Sequence, residues 1–234
     1  MKQYFLGIEF GSTRIKAVLL DEKHAIVKSG DYTWKSSLEN GVWTYHMEDV
    51  QEGLRTAIRN LGELPGKISA MGVSGMMHGY LAFDKDWNLL APFRTWQNTM
   101  TGEAADKLTE AFGFNIPQRW SAAHLYQAVL NGEPHVKNIA HVTTLAGYVH
   151  YLLTGENVLG VGEASGMFPI DSETLTYDAA MLGKFDALMA KYGFDWNIRA
   201  VLPEVRTAGQ SAGLLTPSGS EYLGARLRAT PVPA

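Results

Sequence analysis

The sequence predicts an α/β fold, a mixed sheet with flanking helices and a helical insertion. Three observations carry this expectation. Short apolar runs rich in β-branched and aromatic residues open the chain around a tight polar turn. One helix-spaced segment then separates them from a further buried strand, and from Gly102 onward the pattern is mostly helical.

Residues 4–8 read as a strand, Glu9-Phe10-Gly11-Ser12-Thr13-Arg14 as a tight polar turn, and residues 15–20 as the returning strand. Asp21-Glu22-Lys23-His24 turns the chain again and Ala25-Ile26-Val27 begins a third strand, so three antiparallel strands follow one another. Past Met47-Glu48-Asp49 the spacing changes: Val50, Leu54, Ile58 and Leu61 fall on one helical face, with acids in the first turn and Pro65-Gly66 as the stop. Residues 68–73 form a buried strand ending in Ser74-Gly75-Met76-Met77-His78-Gly79, and residues 80–83 form another before the Asp84-Lys85-Asp86-Trp87-Asn88 turn. Helices are expected at 103–112, 121–130, 143–153 and 179–192, then a short strand at 212–215 and a short helix at 217–223. Thr230-Pro231-Val232-Pro233-Ala234 reads as the start of a further strand, and hence as a truncation.

The 234 residues suffice for one large domain or two small ones, and 46% hydrophobic with 19% charged residues is a globular composition. A net charge of -4 and a pI near 6.0 supply no basic field for nucleic acid or anionic lipid. No apolar run is long enough to span a bilayer and the N-terminus leads straight into a strand, so a cytoplasmic protein is expected. The absence of cysteine removes disulfides, thiolate zinc sites and cysteine nucleophiles. Seven histidines lie scattered without ligand spacing, so no structural metal is expected. The P-loop, dinucleotide, zincin and nucleophile-elbow motifs are all missing.

Three groups of residues suit chemistry. Glu9, Ser12, Thr13, Arg14 and Lys16 combine a carboxylate, two hydroxyls and two cations at a hairpin, an inventory that suits a nucleotide phosphate with its magnesium. Strand alternation puts Arg14 and Lys16 on one face and Ile15 and Ala17 on the other. An ordinary hairpin with a decorated turn would read the same. Gly75-Met76-Met77-His78-Gly79 is a strand end flanked by glycines, a place where backbone approaches a ligand closely, although a lone histidine in a turn is more often a plain surface residue. Thr95-Trp96-Gln97-Asn98-Thr99 sets an aromatic plane beside amides, one way to hold a polyhydroxy compound.

In order along the chain, four stretches carry a resemblance to the FGGY carbohydrate kinases, nearest to their xylulokinase-like branch. Gly7-Ile8-Glu9-Phe10-Gly11-Ser12-Thr13-Arg14-Ile15-Lys16 is similar to the family's phosphate hairpin, and Val73-Ser74-Gly75-Met76-Met77-His78-Gly79 to its Met-His substrate turn. Phe93-Arg94-Thr95-Trp96-Gln97-Asn98 lies where the family has Trp-Asn-Asp. Residues 145–156 followed by Gly162-Glu163-Ala164-Ser165-Gly166 and Ile170-Asp171 resemble its helix, its Asp-Ala-Ser-Gly stretch and its Phe-Asp pair.

The resemblance covers essentially the whole chain and implies an actin-like, ribonuclease-H-like ATPase domain. It implies transfer of the γ-phosphoryl group of Mg-ATP to a hydroxyl of a ketopentose or related sugar or polyol. Carried over by position, Glu9 assists Mg²⁺, Gly11, Ser12, Thr13, Arg14 and Lys16 approach the phosphates, and Met77, His78, Trp96 and Asn98 line the sugar pocket. Residues 1–234 are then the N-terminal, sugar-binding domain. The family's catalytic aspartate and most of its adenine pocket are expected beyond Ala234, so the polypeptide alone is not expected to transfer phosphate. A small-molecule sugar is the expected partner, with no nucleic acid or membrane and with room for a homodimer. Two departures stand out: Glu9 replaces the usual Asp, and Trp96-Gln97-Asn98 lacks both the family's Asp and the arginine expected in Thr99-Met100-Thr101-Gly102. The resemblance therefore leaves the sugar unnamed. The competing reading is a non-catalytic actin-like nucleotide-binding module, which would not need the His78 and Trp96 pocket.

Overall fold

A computed structural model describes residues 2–64, 67–224 and 230–234. Strands β1 (Gln3–Phe10), β2 (Arg14–Asp21) and β3 (Ile26–Thr33) form the antiparallel meander expected. A small hairpin, β4 (Ser37–Glu39) and β5 (Val42–Thr44), follows before α1 (Met47–Asn60) and β6 (Lys67–Gly75). The β4–β5 hairpin was not among the sequence expectations. Its signal is Asn40-Gly41, both at positive φ (49° and 81°), the turn whose twist matches two paired strands. β6 pairs parallel with β1, so the sheet runs β3-β2-β1-β6 and is mixed.

Alternation decides which face is covered. Leu6, Ile8, Phe10, Ile15, Ala17 and Leu19 point to one side and are buried. Against that side lies α1, turning Val50, Leu54, Ala57 and Ile58 inward with Glu48 and Asp49 in its first turn. Gly30 marks the closest approach of sheet and helix, since a Cβ there would stand 2.2 Å from the Ala57 carbonyl oxygen. Pro65-Gly66, the expected stop of this helix, lies outside the described residues; the helix itself ends at Asn60.

Next come β7 (Leu81–Phe83), α2 (Gly102–Phe112), α3 (Ser121–Leu130), a 3-10 turn (Pro134–Asn138), β8 (His141–Thr143) and α4 (Leu145–Thr154). The helix expected from Thr143 begins two residues later. Thr143 is the β8 partner of Leu81, and Thr144 caps α4 by accepting from the Gly147 N–H at 3.3 Å. Then follow β9 (Val158–Gly160), α5 (Val161–Ala164), β10 (Ile170–Asp171), β11 (Thr176–Tyr177), α6 (Ala179–Met189), a 3-10 turn (Ala190–Tyr192), α7 (Ile198–Val201), β12 (Glu204–Arg206), β13 (Ser211–Leu214), α8 (Pro217–Leu223) and β14 (Pro231–Pro233). The strand expected at Pro231 is present and pairs antiparallel with β13.

Two apolar cores result. Tyr80 and Ala82 face the core of α2, α3 and α6, whereas Leu81 and Phe83 face the core shared by the sheet, α1, α4 and α8. The alternation of this one strand makes β7 the wall between the two cores, and its upstream end is the Met77-His78-Gly79 turn.

Candidate functional site

The site forms where β1 and β6 end side by side. Phe10 and Gly75 are register partners in the parallel pair, and just beyond them the Met76 N–H donates to the Phe10 carbonyl at 2.8 Å. The hairpin tip and the Met-His turn are therefore held together at the carboxyl ends of neighbouring parallel strands, where open α/β sheets bind ligands.

At the hairpin, Gly11 N–H donates to the Arg14 carbonyl at 2.9 Å. The remaining carbonyls are tied inward: Trp34 Nε1 donates to Gly11 O at 2.7 Å, Tyr45 Oη to Ser12 O at 2.6 Å, and Trp34 N–H to Thr13 O at 3.2 Å. Trp34 and Tyr45 are themselves packed ring on ring with centroids 4.2 Å apart. The tip is thus a rigid loop whose Ser12 and Thr13 side chains project into solvent. Arg14 and Lys16 share the exposed face as expected, paired with Asp31 at 3.5 Å and Glu9 at 3.3 Å. Glu9 and Lys16 line a groove of about 470 Å³ whose floor includes Gly7 and Gly72, register partners across β1 and β6. A Cβ on Gly72 would meet nothing within 4 Å, so packing does not demand glycine there; the floor is bare backbone beside the carboxylate.

His78 sits at φ 73° and Gly79 at φ 98°, where a Cβ would come within 2.8 Å of the Arg94 carbonyl. The His78 Nδ1–H donates to the Gly166 carbonyl at 3.1 Å, which fixes the tautomer and leaves Nε2 as the acceptor. Burial holds its ring below the ordinary imidazole value; the Gly166 hydrogen bond opposes this and the Arg119 charge adds to it. Met77 lies beside it, exposed, its Cε 3.0 Å from where a Gly166 Cβ would stand.

Trp96 reaches this region through backbone pairing. Tyr80 N–H donates to Arg94 O at 2.8 Å and Arg94 N–H to Tyr80 O at 3.1 Å, so Trp96 stands two residues beyond a bridge that begins two residues after His78. A buried polar clamp holds that bridge from behind. The Arg94 guanidinium pairs with Glu133 and lies 5.3 Å over the Tyr80 ring, while Tyr80 Oη and His135 Nε2 are 2.8 Å apart. Trp96 itself is 43% exposed, a free aromatic face.

Asn98, expected to line the sugar pocket, lies inward of the Trp96 loop. Its side chain is buried, its Oδ1 accepts from the Trp43 N–H at 2.8 Å, and its Nδ2 donates to the Trp43 and Thr95 carbonyls at 2.9 and 3.0 Å. Its amide fastens the Trp96 loop to β5, using both Nδ2 hydrogens and one lone pair of Oδ1.

Sequence reasoning passed over three participants. Arg119 joins the turn through its carbonyl, which accepts from Gly79 N–H at 3.2 Å, next to Ser121, whose Oγ donates to Gly79 O at 2.6 Å. Glu133 anchors the clamp just described. Glu163 lines a smaller cavity of about 200 Å³ beside Ser74 and His150; burial pushes its carboxyl up to about 7, against a hydrogen bond from Thr144. Only Glu163 carried any prior signal, as part of a quoted motif.

No group of three or more metal-ligating side chains occurs among the described residues, and no helix there is long and apolar enough to cross a membrane.

Residues 4–233 match the model of the FGGY family of carbohydrate kinases, N-terminal domain. The chain is 25% identical over 244 residues to a glycerol kinase of Thermococcus gammatolerans, covering 97% of this chain and 47% of that protein. It is 20% identical over 240 residues to a xylulose kinase of Staphylococcus xylosus, covering 94% and 46%. Among solved structures, a gluconate kinase from Lactobacillus acidophilus superposes with a TM-score of 0.83 at 18% identity, over 99% of this chain and 47% of that one. The chain thus spans about half the length of these relatives, and the shared fold is the actin-like ATPase fold of such kinases. With the hairpin, the Met-His turn and the Trp loop assembled at one sheet edge, this protein belongs to the FGGY family of carbohydrate kinases.

Proposed function

We propose that this chain is the sugar-binding half of an ATP-dependent kinase that phosphorylates a hydroxyl of a ketopentose or related sugar or polyol. The observation that carries this is the 2.8 Å hydrogen bond joining Met76 to Phe10, which sets a hairpin suited to phosphates against a turn suited to a sugar. Phosphoryl transfer between bound partners depends on positioning and charge neutralisation.

In this reading the exposed Ser12 and Thr13 side chains and the Arg14 and Lys16 cations receive the polyphosphate. Glu9 fits a water-mediated hold on Mg²⁺, because it stands exposed on the open sheet face with Ser12 and Thr13 at the adjacent tip. When bound, the metal neutralises phosphate charge. His78 Nε2 accepts from a sugar hydroxyl, Trp96 packs against sugar C–H groups, and Met77 fills the apolar side. The sugar oxygen forms its bond to the γ-phosphorus as the bond to the β-phosphate oxygen breaks. The hydroxyl proton passes to a carboxylate outside these 234 residues, so the chain alone does not turn over.

The test is ADP release by the full-length gene product with Mg-ATP and a panel of ketopentoses, deoxyketoses, polyols and aldonates. Stimulation by one class is expected; sugar-independent hydrolysis, or no stimulation by any of them, refutes the kinase reading. For the chain itself, calorimetry is expected to show sugar binding that His78→Ala abolishes.

A further inference from the structure

The substrate turn has an unusual charge balance. Arg119 is fastened to it by the Gly79 N–H and is exposed, and it makes no ion pair with any described residue. Its neighbour in the site, Arg94, is by contrast buried and neutralised by Glu133. Among the described residues, Arg119 is a cation whose charge bears on the His78 ring, adding to the effect of burial. The Trp96 loop supplies no carboxylate there: Gln97 and Asn98 are neutral, and Asn98 is turned inward onto Trp43. While Glu163 lines a smaller cavity with Ser74 and His150, the site sets a guanidinium without an ion pair beside an imidazole and an aromatic face. Its cation is left for the ligand to satisfy.

We propose that the preferred substrate is a sugar acid, a polyhydroxy carboxylate whose carboxylate pairs with Arg119 while its hydroxyls meet His78 and Trp96. This rests on the kinase reading above and names the substrate class of the same site. A guanidinium presents parallel N–H donors that match both oxygens of a carboxylate. A charge-assisted hydrogen bond of this kind is worth roughly a 10- to 100-fold difference in affinity.

The test is calorimetry on the full-length gene product with D-gluconate and with D-glucitol, which has the same carbon chain and a hydroxymethyl group in place of the carboxylate. Gluconate is expected to bind at least about tenfold more tightly, with an advantage that shrinks as salt is raised. Arg119→Met is expected to remove that advantage, bringing gluconate affinity to the level of glucitol, and Arg119→Lys to recover part of it. His78→Ala is expected to weaken both ligands. Equal affinity for the two ligands, or an advantage that survives Arg119→Met, overturns the sugar-acid proposal; loss of both ligands with His78→Ala would then leave the sugar site standing. Binding of neither ligand leaves the kinase reading to the ketopentose, deoxyketose and polyol panel and overturns the sugar-acid proposal. Tighter binding of D-glucitol 6-phosphate than of gluconate, or an effect of Arg119→Met confined to Mg-ATP, also overturns it by assigning the cation to a phosphate.

Discussion

His124→Phe isolates the cost of a buried imidazole. His124 lies on α3 with no solvent exposure, its ring stacked on Tyr80 at 22° with centroids 6.2 Å apart, and neither ring nitrogen has a hydrogen-bond partner among the described residues. Burial, with the Arg94 charge second, pushes its pKa from the ordinary 6.5 down to about 3. A depressed folded value means that the unfolded chain takes up a proton near pH 6.5 that the folded chain refuses until about pH 3. Stability is therefore flat above pH 6.5 and falls as pH drops through that window, by about 1.4 kcal/mol per unit from this group. Between pH 6.5 and pH 5 that amounts to about 2 kcal/mol. Phenylalanine keeps the stacking ring and removes both the titration and the two unpartnered nitrogens. Urea unfolding at pH 7.5 and 5.0 is expected to show the variant within about 1 kcal/mol of the parent at pH 7.5, or more stable. It is expected to lose about 2 kcal/mol less than the parent on acidification. Comparing variant with parent matters because His78, His135, His141 and His150 are also held below the ordinary value by burial. Equal acid sensitivity in the two proteins would refute the reasoning, as would a loss of more than about 2 kcal/mol at pH 7.5, which would mean that the ring nitrogens are bonded in solution.

Two substitutions test the site more directly. Gly166→Ala places a methyl 2.6 Å from His78 Nδ1 and 3.0 Å from Met77 Cε, both side-chain atoms that can move aside. Urea unfolding is expected to register a loss of only about 1–3 kcal/mol while calorimetry registers the loss of sugar binding, and intact binding would separate His78 from the pocket. Asn98→Asp restores the residue type of the family's Trp-Asn-Asp segment but exchanges two donations, to the Trp43 and Thr95 carbonyls, for oxygen facing oxygen. A loss of about 3 kcal/mol at pH 7 that diminishes on acidification is expected from denaturation curves, whereas a stable variant with new sugar affinity would return Asn98 to the pocket.

Much of this architecture was legible in residue order. Helices α3 and α8 fall at 121–130 and 217–223 as expected, because each is a local pattern of apolar spacing closed by local stop signals. The parallel pair β9–β12 joins Val158–Gly160 to Glu204–Arg206, two three-residue segments whose only justification is each other. Such pairing leaves no periodic trace in either stretch. Thr143 shows the same limit, reading as a helix start until its strand partner Leu81 is known.

At the site, the division follows the same line. By itself the sequence determined the opening hairpin, the alternation that puts Arg14 and Lys16 outward, the glycine-flanked His78 turn and the family, since each depends on a few consecutive residues. Only the tertiary structure decided that Asn98 spends its amide on Trp43, 55 residues away in the chain. It also decided that Arg119 arrives unpaired beside Gly79 and that Glu133 neutralises Arg94 beneath the Trp96 loop. The physical reason is that a polar side chain's role is set by which partners consume its hydrogen bonds and charge, and those partners come from segments that folding alone brings together.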